Sequence, residues 1–179
     1  SAVVADPNLF AGYAHLALAM VSFKEYDQAK VMVTKALAIA PDNFTNAEKI
    51  QGKPEYLPSP YATAGDRLYM VGHQDGTFPD LGWHVQGEMG GVWCHPIKLM
   101  DGFEVEIVVN NQKYVLNKAD VFENYSFGNK LTYNSLSPDF VIERYQFVLD
   151  GKRAVYIEFL IKNKTNKVLN VSIDLKAIS

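Results

Sequence analysis

The chain has 179 residues, a length that fits one domain with a small additional segment. A hydrophobic content of 48% and an aromatic content of 12% suffice for a packed core, which argues against a wholly disordered chain. The net charge of −3 argues against a nucleic-acid-binding protein, and no apolar run reaches the roughly 18 residues of a membrane-spanning helix. The single cysteine, Cys94, excludes an internal disulfide bond.

Residues 1 to 43 are predicted to form an α-helical hairpin. Apolar residues recur at helical spacing over residues 9 to 23 and again over residues 26 to 40. The segment resembles a single tetratricopeptide repeat through its small residues and closing proline, which are Ala17, Ala29, Ala36 and Pro41. An ordinary antiparallel helix pair explains the same residues equally well. Because a lone repeat cannot bury its apolar face, the pair needs a further surface to pack against. The hairpin is either native to the following domain or foreign to it.

Residues 44 to 66 are predicted to be a connector. Pro54, Pro58 and Pro60 lack the N–H group that a helix or a central strand requires. The segment therefore marks the expected boundary between the helical hairpin and the remainder of the chain.

From residue 67 onward the apolar residues alternate with a period of two, which is typical of β-strands. The clearest strands are predicted at residues 103–109, 140–149, 155–161 and 169–175. Turn-forming residues follow three of them, at Asn110-Asn111, at Asp150-Gly151 and over residues 163–167, and each is predicted to close a hairpin. The fold class is therefore mainly β, with an antiparallel β-sandwich at residues 67–179 preceded by the helical hairpin. Half-polar strands such as the last one are expected to face water on one side only.

Residues 73 to 103 concentrate the side chains that suggest a site. This stretch holds both tryptophans, three of the four histidines and Cys94, and it is rich in glycine. Trp83 and Trp93 have flat apolar faces that suit sugar rings, but packing in the core or at a domain interface is the favoured explanation. Gly90 and Gly91 indicate a bulge or close packing more than a ligand contact.

The spacing of residues in this stretch gives little support for a catalytic or metal-binding site. No two histidines have the spacing that places both imidazoles on one helix face, so loop hydrogen bonding explains the polar residues better than a metal site does. Asp80 and Glu88 are an acid–base pair by composition alone. Cys94 precedes His95, but neighbours on a strand point to opposite faces, and we expect a buried, unreactive cysteine. We predict no catalytic residue, metal or cofactor in this chain.

The order of these features is similar to the N-terminal β-sandwich domain of glycoside hydrolase family 63 and its clan relatives. The distinctive motif is Asp80-Leu81-Gly82-Trp83-His84, followed by Met89-Gly90-Gly91. Strand elements in matching order are residues 103–109, 114–116, 119–122, 141–144, 147–148 and 158–164. The resemblance covers roughly residues 70 to 179.

The resemblance implies a two-part enzyme. In that family the sandwich packs on an (α/α)6 barrel, whose two carboxylates hydrolyse α-glucosidic bonds with inversion. The barrel lies outside this chain, so the resemblance implies a non-catalytic domain in a periplasmic or secreted hydrolase, although residues 1 to 8 show no signal-peptide pattern. The residues expected to contact the barrel or a sugar are Asp80, Trp83, His84, Met89, Gly90, Gly91 and Trp93.

Two alternatives remain open from the sequence. The first is a stand-alone carbohydrate-binding module that holds an oligosaccharide through exposed tryptophans. The second is a protein-interaction module built on the helical hairpin. Neither involves nucleic acid or a membrane span.

Overall fold

The computed structural model describes residue 31 and residues 49–82, 84–125 and 128–179. The chain divides into two compact units, Ser1–Glu48 and Lys49–Ser179. The predicted hairpin at residues 1 to 43 falls, apart from Val31, outside the described residues and stays a prediction. None of the helices within the described part of the chain has the length and apolar character needed to cross a membrane.

The regular secondary structure of the second unit consists almost entirely of strands. One short 3-10 helix, Pro54–Tyr56, follows the first of them. The strands are β1 (Lys49–Gln51), β2 (Pro60–Ala64), β3 (Tyr69–His73), β4 (Gly91–Cys94), β5 (Ile97–Met100), β6 (Gly102–Val109), β7 (Gln112–Val115), β8 (Val121–Tyr125), β9 (Gly128–Tyr133), β10 (Phe140–Val148), β11 (Val155–Asn163) and β12 (Val171–Ile178).

The strands form three sheets. A five-stranded sheet has the order β1-β8-β9-β10-β11, a three-stranded sheet the order β12-β6-β7, and a four-stranded sheet the order β2-β3-β4-β5. Every strand pair is antiparallel. The prediction of a mainly β chain with antiparallel strands is therefore confirmed.

Two strands lie in the stretch that the sequence assigned to a connector. β1 pairs with β8, and β2 pairs with β3 over its full length. The prolines are accommodated because Pro54 opens the 3-10 helix and Pro60 is the first residue of β2, an edge strand that needs no second ladder. Residues 49 to 66 thus contribute to the sheets. The boundary between the two compact units lies at Glu48, near the start of the predicted connector.

Two of the three predicted hairpins are present in the structure. Asn110 and Asn111, with φ of 49° and 68°, join β6 to β7, and Gly151, with φ of 72°, lies between β10 and β11. Positive φ at such positions matches the twist of the paired strands, and both hairpins are confirmed. The hairpin predicted at residues 163–167 is wrong, because β11 pairs with β10 whereas β12 pairs with β6 in another sheet. The same turn chemistry here carries the chain from one sheet to another.

One hydrophobic core joins the three sheets. On β6, Phe103, Val105, Ile107 and Val109 are buried, while Glu104 on the opposite face is exposed. This alternation is what a strand with one core-facing row requires. Members of the core in the other sheets are Tyr61, Met70, Val92, Phe122, Leu131, Tyr133, Phe140, Ile142 and Val148. Each large side chain that is fully buried contributes roughly 1.5–3 kcal/mol of transfer free energy.

A polar cluster is enclosed in this core. The Arg144 side chain is fully buried, lies 5.6 Å from the ring centroid of Phe103, and donates from Nη2 to the carbonyl oxygen of Gly76 at 3.4 Å. Tyr133 donates its hydroxyl to the carbonyl oxygen of Leu116 at 3.2 Å. Burial raises the pKa of Tyr133 to about 12, although the nearby Arg144 guanidinium opposes the shift. The cluster therefore fixes the backbone at Gly76, where the loop with the predicted site begins.

Candidate functional site

Most of the predicted site residues lie in one long connection between β3 and β4, residues 74 to 90, which we call the 74–90 loop. Trp83 falls outside the described residues. At the base of the loop, Thr77 donates its N–H and its hydroxyl to Asp75 Oδ1 at 2.9 and 2.7 Å. The His73 N–H bonds to the carbonyl oxygen of Thr77 at 2.9 Å. Burial lowers the pKa of His73, opposed by the charge of Asp75.

The acidic residues of the loop are engaged in hydrogen bonds within the loop itself. Glu88 accepts the backbone N–H groups of His84 and Val85 at 2.9 and 3.2 Å, one on each carboxylate oxygen. Asp80 accepts the side-chain amide of Gln86 at 2.7 Å. Loop hydrogen bonding, the ordinary explanation drawn from the sequence, therefore describes both carboxylates. The structure places Asp80 and Glu88, the acid–base pair considered from the sequence, in the same loop, where each carboxylate accepts hydrogen bonds from other loop residues.

The two glycines of the motif are sites of close packing. Gly91 has φ of 93°, and a Cβ placed there would lie 2.3 Å from the carbonyl oxygen of Met100 on β5. A Cβ on Gly90 would lie 3.1 Å from the carbonyl oxygen of Pro79. A register shift between Val92 and Trp93 follows directly. The bulge and the close approach of β4 to β5 account for these glycines.

Trp93 is held by neighbours on both adjacent strands. Its ring is nearly parallel to that of Tyr69, with 6.2 Å between centroids and 4° between planes, and Lys98 Nζ lies 5.7 Å from its centroid. Its Nε1–H donates to the carbonyl oxygen of Gly90 at 2.8 Å. These contacts follow from the sheet register, which places Tyr69 and Lys98 directly opposite Trp93. The ring therefore has a neighbour on each side and its donor is occupied.

Lys98 ties the 74–90 loop to the edge strand β5. Its Nζ donates to the carbonyl oxygen of Gly87 at 2.6 Å and forms an ion pair with Asp101. Lys98 belongs to no motif that marks it in the sequence. Only the register of β4 against β5 reveals it, and the bulge in that pair obscures the register in the sequence.

Four apolar side chains of this region are largely exposed, whereas Phe78 of the 74–90 loop packs against the core. Val85 and Met89 in the 74–90 loop are 64% and 56% exposed. On the adjoining strand β5, Ile97 and Leu99 are 64% and 50% exposed. A loop that satisfies its carboxylates internally and exposes Val85 and Met89 has the character of a contact surface more than of a catalytic centre.

A shallow recess of about 260 Å³ lies at the opposite end of β4. Arg67, Arg153 and His95 line it together with Tyr69 and Cys94. Cys94 is a free, half-buried thiol, so the expectation of a buried cysteine holds only in part. β4 ends at Cys94 and His95 lies in the following turn, so the alternation of a strand does not separate these two side chains.

Within the described part of the chain, no group of three His, Cys, Asp or Glu side chains is arranged to hold a metal ion. Comparisons with protein-family models, with curated proteins and with solved structures give no match for this chain. The resemblance to the family 63 sandwich therefore rests on the residues of the Asp80–His84 and Met89–Gly91 motifs and stays a prediction.

Proposed function

We propose that this chain contains the non-catalytic N-terminal β-sandwich domain of an α-glucosidase-like glycoside hydrolase. In this role the 74–90 loop packs on an (α/α)6 catalytic domain and shapes its sugar cleft. The observation that carries the proposal is the arrangement of that loop, in which Asp80 and Glu88 are bonded internally while Val85 and Met89 are exposed. A periplasmic or secreted location belongs to the same proposal.

A sandwich arrangement of the sheets is supported by contacts between their inner faces. Tyr114 on β7 meets Phe140 on β10 edge to face, with 5.2 Å between ring centroids. Arg144 on β10 lies over Phe103 on β6. Both contacts join the three-stranded sheet to the five-stranded sheet, as in two sheets packed face to face.

The apolar groups of the loop suit a partner domain. Exposed Val85 and Met89 lie beside polar groups, His84 and Gln86, that are also accessible. An apolar centre with a polar rim is the common composition of a domain interface. Trp93 adjoins this surface, because its Nε1–H donates to the carbonyl oxygen of Gly90, the residue that follows Met89.

The contact is tested with the isolated (α/α)6 domain of a family 63 α-glucosidase as the probe. We expect the unmodified chain to bind this domain. The double variant V85D/M89D should bind at least about 10-fold more weakly, because two apolar side chains that the partner domain buries in the complex become charged. The matched control is Val168→Asp, since Val168 is 84% exposed and lies outside the loop. Absence of binding, or equal losses in both variants, contradicts the proposal.

Catalysis and glycan binding are tested separately on the chain alone. We expect no hydrolysis of an aryl α-glucoside, and turnover that disappears on Asp80→Ala would overturn the non-catalytic assignment. In this proposal the chain alone holds no glycan, so titration with gluco- and manno-oligosaccharides is expected to leave tryptophan fluorescence unchanged. A saturable response would favour the carbohydrate-binding alternative instead.

A further inference from the structure

β12 is an edge strand with one bonded side. It pairs with β6 from Val171 to Ile178, and no described strand lies on its other side. The carbonyl oxygen of Asn170 accepts the N–H of Asn110, so even-numbered residues here bond toward β6. Because backbone groups alternate along a strand, the N–H and C=O of Ile173, Leu175 and Ala177 point to the open edge.

The apolar row of β12 continues a core face but is only about half covered. Ile173 lies opposite Ile107 and Leu175 opposite Val105, so these side chains share one face of the sheet. Ile107 and Val105 are at most 1% exposed, whereas Ile173 and Leu175 are 44% and 48% exposed. The expectation that the last strand faces water on one side only is therefore wrong, since every residue of β12 is exposed. The reason is its position at the margin of the sheet, beyond the reach of the facing core.

The other face of β12 carries charge. Lys176 Nζ lies 3.6 Å from Glu106 and 4.0 Å from Glu104 on β6, and Asp174 lies two residues earlier on the same face. The strand thus has a free backbone edge, an apolar row on one face and one charge of each sign on the other.

We propose that β12 pairs antiparallel with β12 of a second copy of this chain, with Leu175 opposite Leu175 at the two-fold axis. In this register Asp174 of each copy lies opposite Lys176 of the other, and Ile173 lies opposite Ala177. A two-residue shift in either direction places Asp174 opposite Asp174 or Lys176 opposite Lys176. The strand is therefore charge-complementary to itself in one register and repulsive in the adjacent ones.

This pairing satisfies the open backbone groups and extends the sheet across both copies. Leu175 of each copy donates to and accepts from the other, as in a bonded antiparallel pair. The apolar rows of the two strands then lie side by side and shield each other in part. The contact is independent of the 74–90 loop, which belongs to the four-stranded sheet.

The test is the oligomeric state of the full chain, measured by light scattering and sedimentation over a range of concentrations. We expect a dimer that Asp174→Lys weakens at least about 10-fold, because both symmetric pairs become repulsive. Lys176→Asp has the same effect, and mixing the two variants restores a heterodimer in which opposite charges face again. Glu55→Lys, an equal change of charge at an exposed residue outside β12, is the control.

A backbone variant separates edge pairing from any other interface. Leu175→Pro removes an N–H that points to the open edge, so it leaves the ladder with β6 bonded while preventing strand addition. Circular dichroism confirms that each variant is folded. A chain that stays monomeric at all concentrations overturns the proposal, as does a dimer that is unaffected by Asp174→Lys and by the mixture.

Discussion

Gly76 offers the sharpest test of the packing described for the polar cluster. Its φ is 99°, and a Cβ placed there would lie 2.2 Å from Tyr133 Oη, 3.0 Å from the carbonyl oxygen of Leu116 and 3.2 Å from Arg144 Nη2. Neither Tyr133 nor Arg144 has any exposed surface, so neither side chain has room to withdraw. Gly76→Ala is therefore expected to destabilise the fold in two ways, through the backbone and through the clash.

The two contributions are separable with a matched variant. A positive φ costs an L-residue about 1–2 kcal/mol, and overpacking a closed core costs about 1–3 kcal/mol. Gly151 also has a positive φ, 72°, but a Cβ there would meet nothing within 4 Å. We expect Gly151→Ala to show the backbone cost of about 1–2 kcal/mol alone. Gly76→Ala should show a total of about 2–5 kcal/mol.

Urea denaturation of the full chain, followed by circular dichroism, measures these losses. Tyr133→Phe removes the nearest atom and also the 3.2 Å hydrogen bond to Leu116, so by itself it costs about 0.5–1.5 kcal/mol. In the Tyr133→Phe background, Gly76→Ala should cost less than in the unmodified chain. Equal losses for Gly76→Ala and Gly151→Ala, together with strict additivity in the double variant, would refute the reasoning.

Further predictions concern polar contacts. Burial raises the pKa of the Glu123 carboxyl, but hydrogen bonds from Lys130 and Lys49 hold it below its ordinary value of 4.5. The stabilisation that the ionised Glu123 carboxylate provides is fully present above its unfolded pKa and is lost as the pH falls through its folded pKa. Glu123→Gln should therefore make the free energy of unfolding, measured in urea, fall less steeply below about pH 4.5. Asp120→Ala removes the acceptor of Asn134 N–H and Ser135 N–H and should cost about 1 kcal/mol, with a smaller loss for Asp120→Asn in the same assay. Glu88→Ala should speed amide hydrogen exchange at His84 and Val85, whereas unchanged protection there would count against the described loop.

A strand such as β6 was predictable because it hides one face. Residues 103–109 alternate clearly, and β6 and β10 match the predicted bounds, 103–109 and 140–149, within one residue, although the core-facing row of β10 includes Arg144 and Gln146. Turn residues identified two hairpins correctly, since Asn and Gly adopt the positive φ that those turns need. β2 was missed because a proline at an edge position looks like a loop residue in a sequence, and β1 because its three exposed residues show no alternation.

The pairing of strands and the contacts of the site were not predictable in the same way. Alternation assigns a strand to two faces but does not say which neighbour it joins, so the partner of β12 could not be read from residues 163–167. The position of Lys98 beside Trp93 depends on a bulge that shifts the register. By contrast, the hydrogen bonds that Asp80 and Glu88 accept within the loop were predictable from ordinary loop chemistry.

The partnership of β6 with β12 has a consequence for synthesis on the ribosome. About 60 residues separate the end of β6 at Val109 from the start of β12 at Val171. At about 5–20 residues per second, β6 emerges roughly 3–12 s before the strand that closes its second edge. During that interval β6 has only β7 beside it, with an apolar face and an open ladder of N–H and C=O groups. The nascent chain therefore exposes an aggregation-prone edge between the emergence of β6 and that of β12, and a chaperone that bound it then would protect it.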